Sequence, residues 1–112
     1  MSKYRNIRVG SNASKKEGWR AYELRTLANI KEISNLKEQV PFLLIPAQYG
    51  MVDGKRKCLE RSTKYIADFT YNDSEGNFIV EDTKSEATRK IPSYVMKRKL
   101  MLQVHGIKIK ET

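Results

Sequence analysis

Residues 65–84 limit the possible folds of this chain more than any other stretch, because they have the pattern of a β-hairpin. Residues 65–71 and 78–84 each alternate between two sets of side chains, the period of two that is typical of strands. Between them, residues 72–77 are rich in Asn, Asp, Ser and Gly, which favour turns. If Phe78 and Val80 face a core, Asp82 and Lys84 lie on the same inward face, where an unpaired charge is costly. The hairpin therefore needs a partner for these charges.

The register of this hairpin indicates what the partner is. A loop over residues 73–77 places Asp68 directly opposite Asp82, and directly opposed side chains have Cβ atoms roughly 4.5–5.5 Å apart. Two carboxylates at that separation repel each other unless a divalent cation lies between them. Mg²⁺ is held by one or two carboxylates together with water and substrate phosphate. The hairpin therefore predicts a cation site at Asp68 and Asp82.

The net charge and the numbers of Cys and His residues exclude several classes of protein. The 112 residues suit one domain with a small core, and a net charge of +9 with a pI near 9.7 attracts polyanions, so nucleic acid is the first candidate partner. Cys58 and His105 are the only residues of their types, which excludes a disulfide, a zinc finger and a Ser-His-Asp triad. The aliphatic run at residues 43–45 is far too short to cross a bilayer. We expect a cytoplasmic protein without a membrane partner.

The N-terminal region combines a basic arm with a helix. Residues 1–13 form the predicted arm, whose basic side chains are Lys3, Arg5 and Arg8. Residues 14–112 form the predicted domain. Ser14 and Glu17 have the spacing of a capping box, which predicts a helix from Ser14 through about Lys31. Glu17 also lies at one end of the apolar stripe that contains Ala21 and Leu24. Capping and a role in the site are both open for Glu17, and they are compatible.

The next segment predicts a strand and a basic turn. Residues 33–49 contain an apolar run that Pro46 ends, which predicts a buried strand with an irregular approach. Asp53 and Gly54 form a hairpin-turn signal inside a basic loop or ribbon. The basic side chains there are Lys55, Arg56, Lys57 and Arg61. They either contact DNA phosphates or belong to a solvated loop.

The C-terminal region predicts a second helix and a last strand. Pro92 suits the first turn of a helix that runs to about His105, with Gly106 as its stop. Its predicted buried residues are Met96, Leu100 and Val104. Arg89 and Lys90, in the polar connector before this helix, are candidate phosphate-binding residues. The candidates within the helix, which otherwise form a solvated face, are Lys97, Arg98 and Lys99. Alternation over residues 107–110 predicts a short strand. The expected fold is a single α+β domain in the order α-β-β-β-α-β, with a mixed sheet flanked by helices.

The order of these motifs resembles the PD-(D/E)XK nuclease superfamily. Their amino-acid sequence resembles small phage and prophage endonucleases of the Holliday-junction-resolvase type. The resemblance implies a restriction-endonuclease-like core in which Asp68 and Asp82 bind Mg²⁺ or Mn²⁺, Glu17 helps to complete the site and Lys84 is the catalytic lysine. It also implies a homodimer that acts on branched DNA in phage recombination, replication or packaging. Ala67 stands where the superfamily name has Pro, and Ser85 stands where the phage group has Gly.

Three functions follow from these observations. The first is a metal-dependent endodeoxyribonuclease, and the second is a basic nucleic-acid-binding protein without catalysis. The third is RNA binding through stacked aromatic side chains at residues 65, 69 and 71, a stripe that is more often core. For Asp82 and Lys84 the structural alternative is an ion pair on an edge strand, worth roughly 0–1 kcal/mol if exposed. Binding of a divalent cation separates the first function from the others.

Overall fold

The computed structural model describes the backbone of residues 12–112 and the side chains from residue 15 onward, so the basic residues of the predicted arm lie outside the described part. The elements are α1 (Asn12–Asn29), β1 (Ser34–Ile45), β2 (Gln48–Val52), β3 (Lys55–Glu60), β4 (Thr63–Asn72), β5 (Phe78–Asp82), a short 3₁₀ helix (Thr88–Lys90), α2 (Pro92–His105) and β6 (Lys110–Glu111). The fold is a small single α+β domain, as predicted, with β2 and β3 as two additional strands. They pair with each other outside the main sheet.

The main sheet has four strands in the order β1-β4-β5-β6. Pairs β1/β4 and β4/β5 are antiparallel and β5/β6 is parallel, so the sheet is mixed. The β4/β5 pairing runs from Asn72 with Phe78 to Phe69 with Glu81, which is the predicted register, and its continuation by one pair would bring Asp68 opposite Asp82. The loop between these strands is fixed by Asp73, whose Oδ1 accepts the backbone N–H groups of residues 75 and 77 at 2.9 and 2.8 Å.

The two helices cover opposite faces of this sheet. Val80 packs in a core with Tyr94 and Met101 of α2, whereas its neighbour Ile79 packs against a core that includes Leu24 of α1. Because successive residues of a strand point to opposite faces, α1 and α2 lie on different sides of β5. Most of β5 is therefore buried on both faces.

Strand β4 changes its facing near Asp68. Tyr65 and Ala67 belong to the core beneath α2, whereas Phe69 and Tyr71 belong to the core beneath α1. A strict period of two would place all four on one side, so the predicted alternation is wrong across this point. All three aromatic side chains are buried. They therefore cannot stack on RNA bases, and that interpretation of the stripe is wrong.

Helix α1 begins two residues before the predicted start. Ser14 lies within its first turn and is not the N-cap. The helix ends at Asn29 rather than near Lys31, which has φ 65°. Its apolar stripe is confirmed, because Ala21 and Leu24 are both buried.

Helix α2 has the predicted bounds but a different buried side. Gly106 has φ 68° and its N–H donates to the Leu102 carbonyl, so it ends the helix as expected. Met96 and Val104 are exposed and Tyr94 and Met101 are buried in their place, so the predicted stripe is wrong at two positions. Tyr94 is held inward because its hydroxyl donates to Glu111 Oε2 at 2.6 Å.

Three further predictions, on the first strand, on Phe78 and on the last strand, are wrong at the edges of the sheet. Strand β1 is an edge strand, so Leu44 is buried while Leu43 and Ile45 remain exposed. Its irregular approach is confirmed by positive φ at Asn35 and Gln39. Phe78 is also exposed, so the inward face predicted for it is wrong. The last strand covers two residues, later than the predicted residues 107–110.

Strands β2 and β3 form a ribbon in which no residue is buried. Asp53 and Gly54 join them with φ values of 51° and 76°, which suits a two-residue hairpin turn. The Arg56 guanidinium lies 4.0 Å from the Tyr49 ring centroid, and Lys57 is exposed on β3. The predicted basic segment is therefore a projecting ribbon. Within the described residues, no helix has both the length and the apolar character required to cross a membrane.

Candidate metal and phosphate site

The centre of the candidate site is the pair of carboxylates at the carboxyl end of β5. Asp68 is buried and Asp82 has no exposed surface. The Tyr65 hydroxyl donates to Asp82 Oδ2 at 2.7 Å, and the Thr83 N–H donates to Asp68 Oδ2 at 2.9 Å. Asp82 Oδ1 is buried without a hydrogen-bond partner. The fold therefore fixes one oxygen of each carboxylate and leaves a buried oxygen of Asp82 for another ligand.

Burial and crowding make this pair a poor place for two negative charges. Burial and, after it, the adjacent Asp68 carboxyl raise the pKa of Asp82 to about 7, although the Tyr65 hydrogen bond and the Lys84 charge act in the opposite direction. A cation that bound both carboxylates would remove their mutual repulsion.

Lys84 places an ammonium between this pair and solvent. Lys84 lies two residues after the end of β5, and its N–H donates to the Thr112 carbonyl at 3.2 Å, which continues the pairing at the sheet end. Lys84 Nζ lies 3.4 Å from Asp82 Oδ1 and 5.7 Å from the Tyr94 ring centroid. The side chain is partly exposed, so its ammonium can reach both the carboxylate and a bound phosphate.

Glu17 lies near the pair without joining it. Its Oε2 accepts from Gln39 Nε2 at 3.1 Å. Burial raises the pKa of Glu17, the charge of Asp68 raises it further, and Lys84 lowers it, so all three groups share one electrostatic environment. No cluster of three or more His, Cys, Asp or Glu side chains suited to a metal ion occurs among the described residues. The predicted set of three carboxylates is thus present as a close pair with a third carboxylate nearby.

A cavity of about 320 Å³ opens beside the pair. Asp82 and Lys84 line it together with Tyr94 and two further lysines, Lys64 and Lys97. Lys97 was predicted to contact phosphate, whereas Lys64 was not. The sequence feature that could have identified Lys64 was its position on β4, four residues before Asp68. The cavity thus combines a buried carboxylate with three ammonium groups, which suits a phosphate held beside a cation.

The other predicted phosphate-binding residues are not gathered at this cavity. Arg98 Nη1 lies 3.4 Å from Glu111 Oε2, so its charge is already paired. Lys90 and Lys99 are exposed, and Arg89 has a buried Nε without a hydrogen-bond partner. The exposed residues Lys55, Arg56, Lys57 and Arg61 lie on the ribbon or just after it.

A second buried carboxylate, which sequence reasoning missed, occupies the opposite face of β5. Arg20 donates from Nε and Nη2 to Glu81, and the Tyr71 hydroxyl donates to Glu81 Oε1 at 2.7 Å. Burial alone would raise the pKa of Glu81, but the bonds from Arg20 and Tyr71 outweigh it and lower that pKa. The only signal was two adjacent acidic residues ending an apolar strand. Two hydrogen bonds from Arg20 neutralise Glu81, whereas Asp82 has only the Lys84 ammonium at 3.4 Å and an Oδ1 without a hydrogen bond.

Comparison with known proteins gives a family. A family model described as "Protein of unknown function (DUF1064)" matches residues 1–111. The chain belongs to the DUF1064 family. The DUF1064 match spans the carboxylate pair, Lys84 and both helices. No curated protein and no solved structure matches the chain.

Proposed function

We propose that this DUF1064 protein is a metal-dependent endodeoxyribonuclease that hydrolyses DNA phosphodiester bonds. The observation that carries the proposal is the unpartnered Oδ1 of Asp82, buried beside Asp68 and next to Lys84 at the wall of a basic cavity. Lys84 Nζ lies 3.4 Å from this oxygen, but no described protein group donates a hydrogen bond to it, and a buried carboxylate oxygen without a hydrogen bond is costly. A function that uses this oxygen explains why it is retained.

The donor set fits a hard divalent cation. Asp68 and Asp82 offer carboxylate oxygens, and Mg²⁺ or Mn²⁺ at such sites takes one or two carboxylates together with water and substrate phosphate. Glu17 is placed to act on that ion through water. When bound, the ion would supply charge neutralisation at the scissile phosphate and activation of water.

The chain's own residues have separate tasks around that chemistry. The Thr83 N–H and the Tyr65 hydroxyl hold the two carboxylates in fixed orientations. The Lys84 ammonium stabilises a negative oxygen of the phosphate or exchanges a proton with the attacking water at Nζ. Lys64 and Lys97 neutralise phosphate charge on the cavity wall.

The substrate and setting of the proposal rest on the resemblance to phage endonucleases. We place the protein in the cytoplasm of a bacterium or a phage-infected host, as a homodimer that cuts branched DNA such as a Holliday junction. Two-fold symmetry suits that task, because symmetric incision of a four-way junction needs two active sites.

The test is a cleavage assay on linear duplex, single strand and four-way junction with Mg²⁺, Mn²⁺ or Ca²⁺. Asp68→Asn and Asp82→Asn should each abolish Mg²⁺-dependent cleavage and weaken Mn²⁺ binding in calorimetry, while DNA affinity stays the same or rises. Asp53→Asn is the matched control, because Asn also suits this exposed turn and carries the same charge change.

Two outcomes would count against the proposal. If Asp82→Asn cleaves like the parent protein, Asp82 is not part of an active site. If the parent protein binds DNA but cleaves none of the three substrates with any cation, the chain is a nucleic-acid-binding protein without catalysis.

A further inference from the structure

Trp19 is the only tryptophan of the chain, and 71% of it is exposed on α1. It lines a second cavity, of about 340 Å³, together with Lys16, Lys110 and Thr83. The indole is a large aromatic surface, and its exposure shows that Trp19 is not a core residue and is open to a ligand in this cavity.

This second cavity adjoins the candidate site through the backbone of three consecutive residues. Asp82 and Lys84 line the cavity beneath α2, whereas Thr83 lines the cavity with Trp19. The two cavities therefore lie on either side of the 82–84 segment. A DNA strand with a phosphate beside Lys84 would have to pass the end of the sheet at residues 82–84 to bring a nucleotide to Trp19.

The charges around Trp19 favour a polyanion. Within the described part of the chain, neither Lys16 nor Lys110 takes part in an ion pair. Arg20 and Glu23 also line this cavity, but the Arg20 guanidinium is bound to Glu81 and lies 3.7 Å from Glu23 Oε1, so the Glu23 charge faces a paired cation. Two available ammonium groups thus flank an exposed aromatic ring, the combination that proteins use to bind unpaired nucleotides.

We infer that Trp19 stacks on an unpaired nucleobase of the DNA substrate while Lys16 and Lys110 neutralise the adjoining phosphates. In a duplex each base is covered by its neighbours, so only an unpaired or extruded base can reach the indole. The inference rests on the proposed nuclease function and names its substrate class. That class is DNA with an unpaired nucleotide next to the scissile bond.

The test uses Trp19 fluorescence without divalent cations, so that no cleavage occurs. A single-stranded oligonucleotide and a four-way junction with an unpaired flap should quench the emission at saturation, and a blunt duplex should quench it far less. In anisotropy titrations with labelled DNA, Trp19→Ala should bind the single strand about tenfold more weakly and the blunt duplex with unchanged affinity. Trp19→Phe should restore most of the affinity. Phe78→Ala, which removes an exposed aromatic at the far end of β5, is the control.

Three results would overturn the inference. One is equal quenching by blunt duplex and single strand, and another is an equal loss of affinity in Phe78→Ala and Trp19→Ala. The third is a Trp19 fluorescence that changes with protein concentration in the absence of DNA, together with a Trp19→Ala variant that is monomeric. In that case a second copy of the chain covers the indole. If cleavage continues in any of these cases, the nuclease proposal stands alone. If the parent protein shows fluorescence quenching by unpaired DNA alone but cleaves no DNA, the stacking site is supported and the nuclease proposal is not.

Discussion

Replacing Arg20 by Met tests how much of the fold depends on the buried anion Glu81. The substitution keeps an unbranched stem but removes the guanidinium and its two hydrogen bonds to Glu81. Glu81 then remains fully buried with only two neutral donors, the hydroxyls of Tyr71 and Thr112 at 2.7 and 3.2 Å. Arg25→Met is the matched control, because Arg25 makes the same two-pronged contact with Glu38 at the surface.

The two pairs differ in burial, and the expected cost differs accordingly. Glu81 has 0% side-chain exposure and Arg20 has 22%, whereas Arg25 and Glu38 have 60% and 38%. Removing one partner of a buried pair costs about 3–5 kcal/mol, and the partial exposure of Arg20 favours the lower end, about 3 kcal/mol. An exposed pair contributes about 0.2–1 kcal/mol. The free energies of unfolding should therefore separate the variants by about 2 kcal/mol or more.

Urea unfolding followed by circular dichroism at pH 7 measures this difference. The double variant Arg20→Met with Glu81→Gln should recover part of the loss, because it leaves no unpaired charge. The lowered pKa of Glu81 means that its stabilisation is present above its unfolded pKa and is lost as pH falls through the lower folded value. The deficit of Arg20→Met should accordingly shrink in acid. Equal losses for Arg20→Met and Arg25→Met would refute the reasoning.

Six further variants test the core, the site and the ribbon. Met101→Ala should lose about 2–5 kcal/mol in urea unfolding, because Met101 is fully buried, whereas Met96→Ala should change stability by less than about 0.5 kcal/mol. Lys84→Ala should lose turnover yet keep Mn²⁺ affinity in calorimetry, and recovery of the rate by Lys84→Arg would show that the lysine acts by charge rather than as a base. Glu17→Gln should change stability by under about 1 kcal/mol while activity falls sharply, and an unchanged rate would leave Glu17 a structural role only. Lys57→Ala should reduce the slope of log affinity against log salt by about 0.9 if it contacts one phosphate, and an unchanged slope would remove it from the interface.

The parts of the fold that depend on local pattern were predictable. The loop length was enough to set the β4/β5 register, whose continuation brings Asp68 opposite Asp82, because a hairpin's register follows from its turn. The bounds of α2 followed equally well from Pro92 and Gly106, which act through their own backbone preferences. The proximity of Asp68 to Asp82 was thus accessible without any tertiary information.

The parts that depend on contacts between distant segments were not predictable. Arg20 reaches Glu81 across 61 residues, and neither position shows this in its local pattern. The side of α2 that is buried was misplaced because Tyr94 is drawn inward by Glu111, a contact made only after the last strand pairs. The change of facing at Asp68 likewise follows from packing between two helices on opposite faces, which alternation along one strand cannot encode.

The ribbon of β2 and β3 should move on a different timescale from the rest of the molecule. A two-stranded hairpin with no buried residue is marginally stable, and hairpins form in about 1–10 μs, so the ribbon opens and closes while the main sheet stays intact. The amide hydrogens that join Gly50 to Lys57 should therefore exchange much faster than those around Phe69. If the ribbon binds DNA as proposed, ordering it would cost conformational entropy, while its basic side chains would attract a polyanion over a wide volume before contact. The ribbon consequently contributes more to the rate at which a polyanion is captured than to the strength with which it is held.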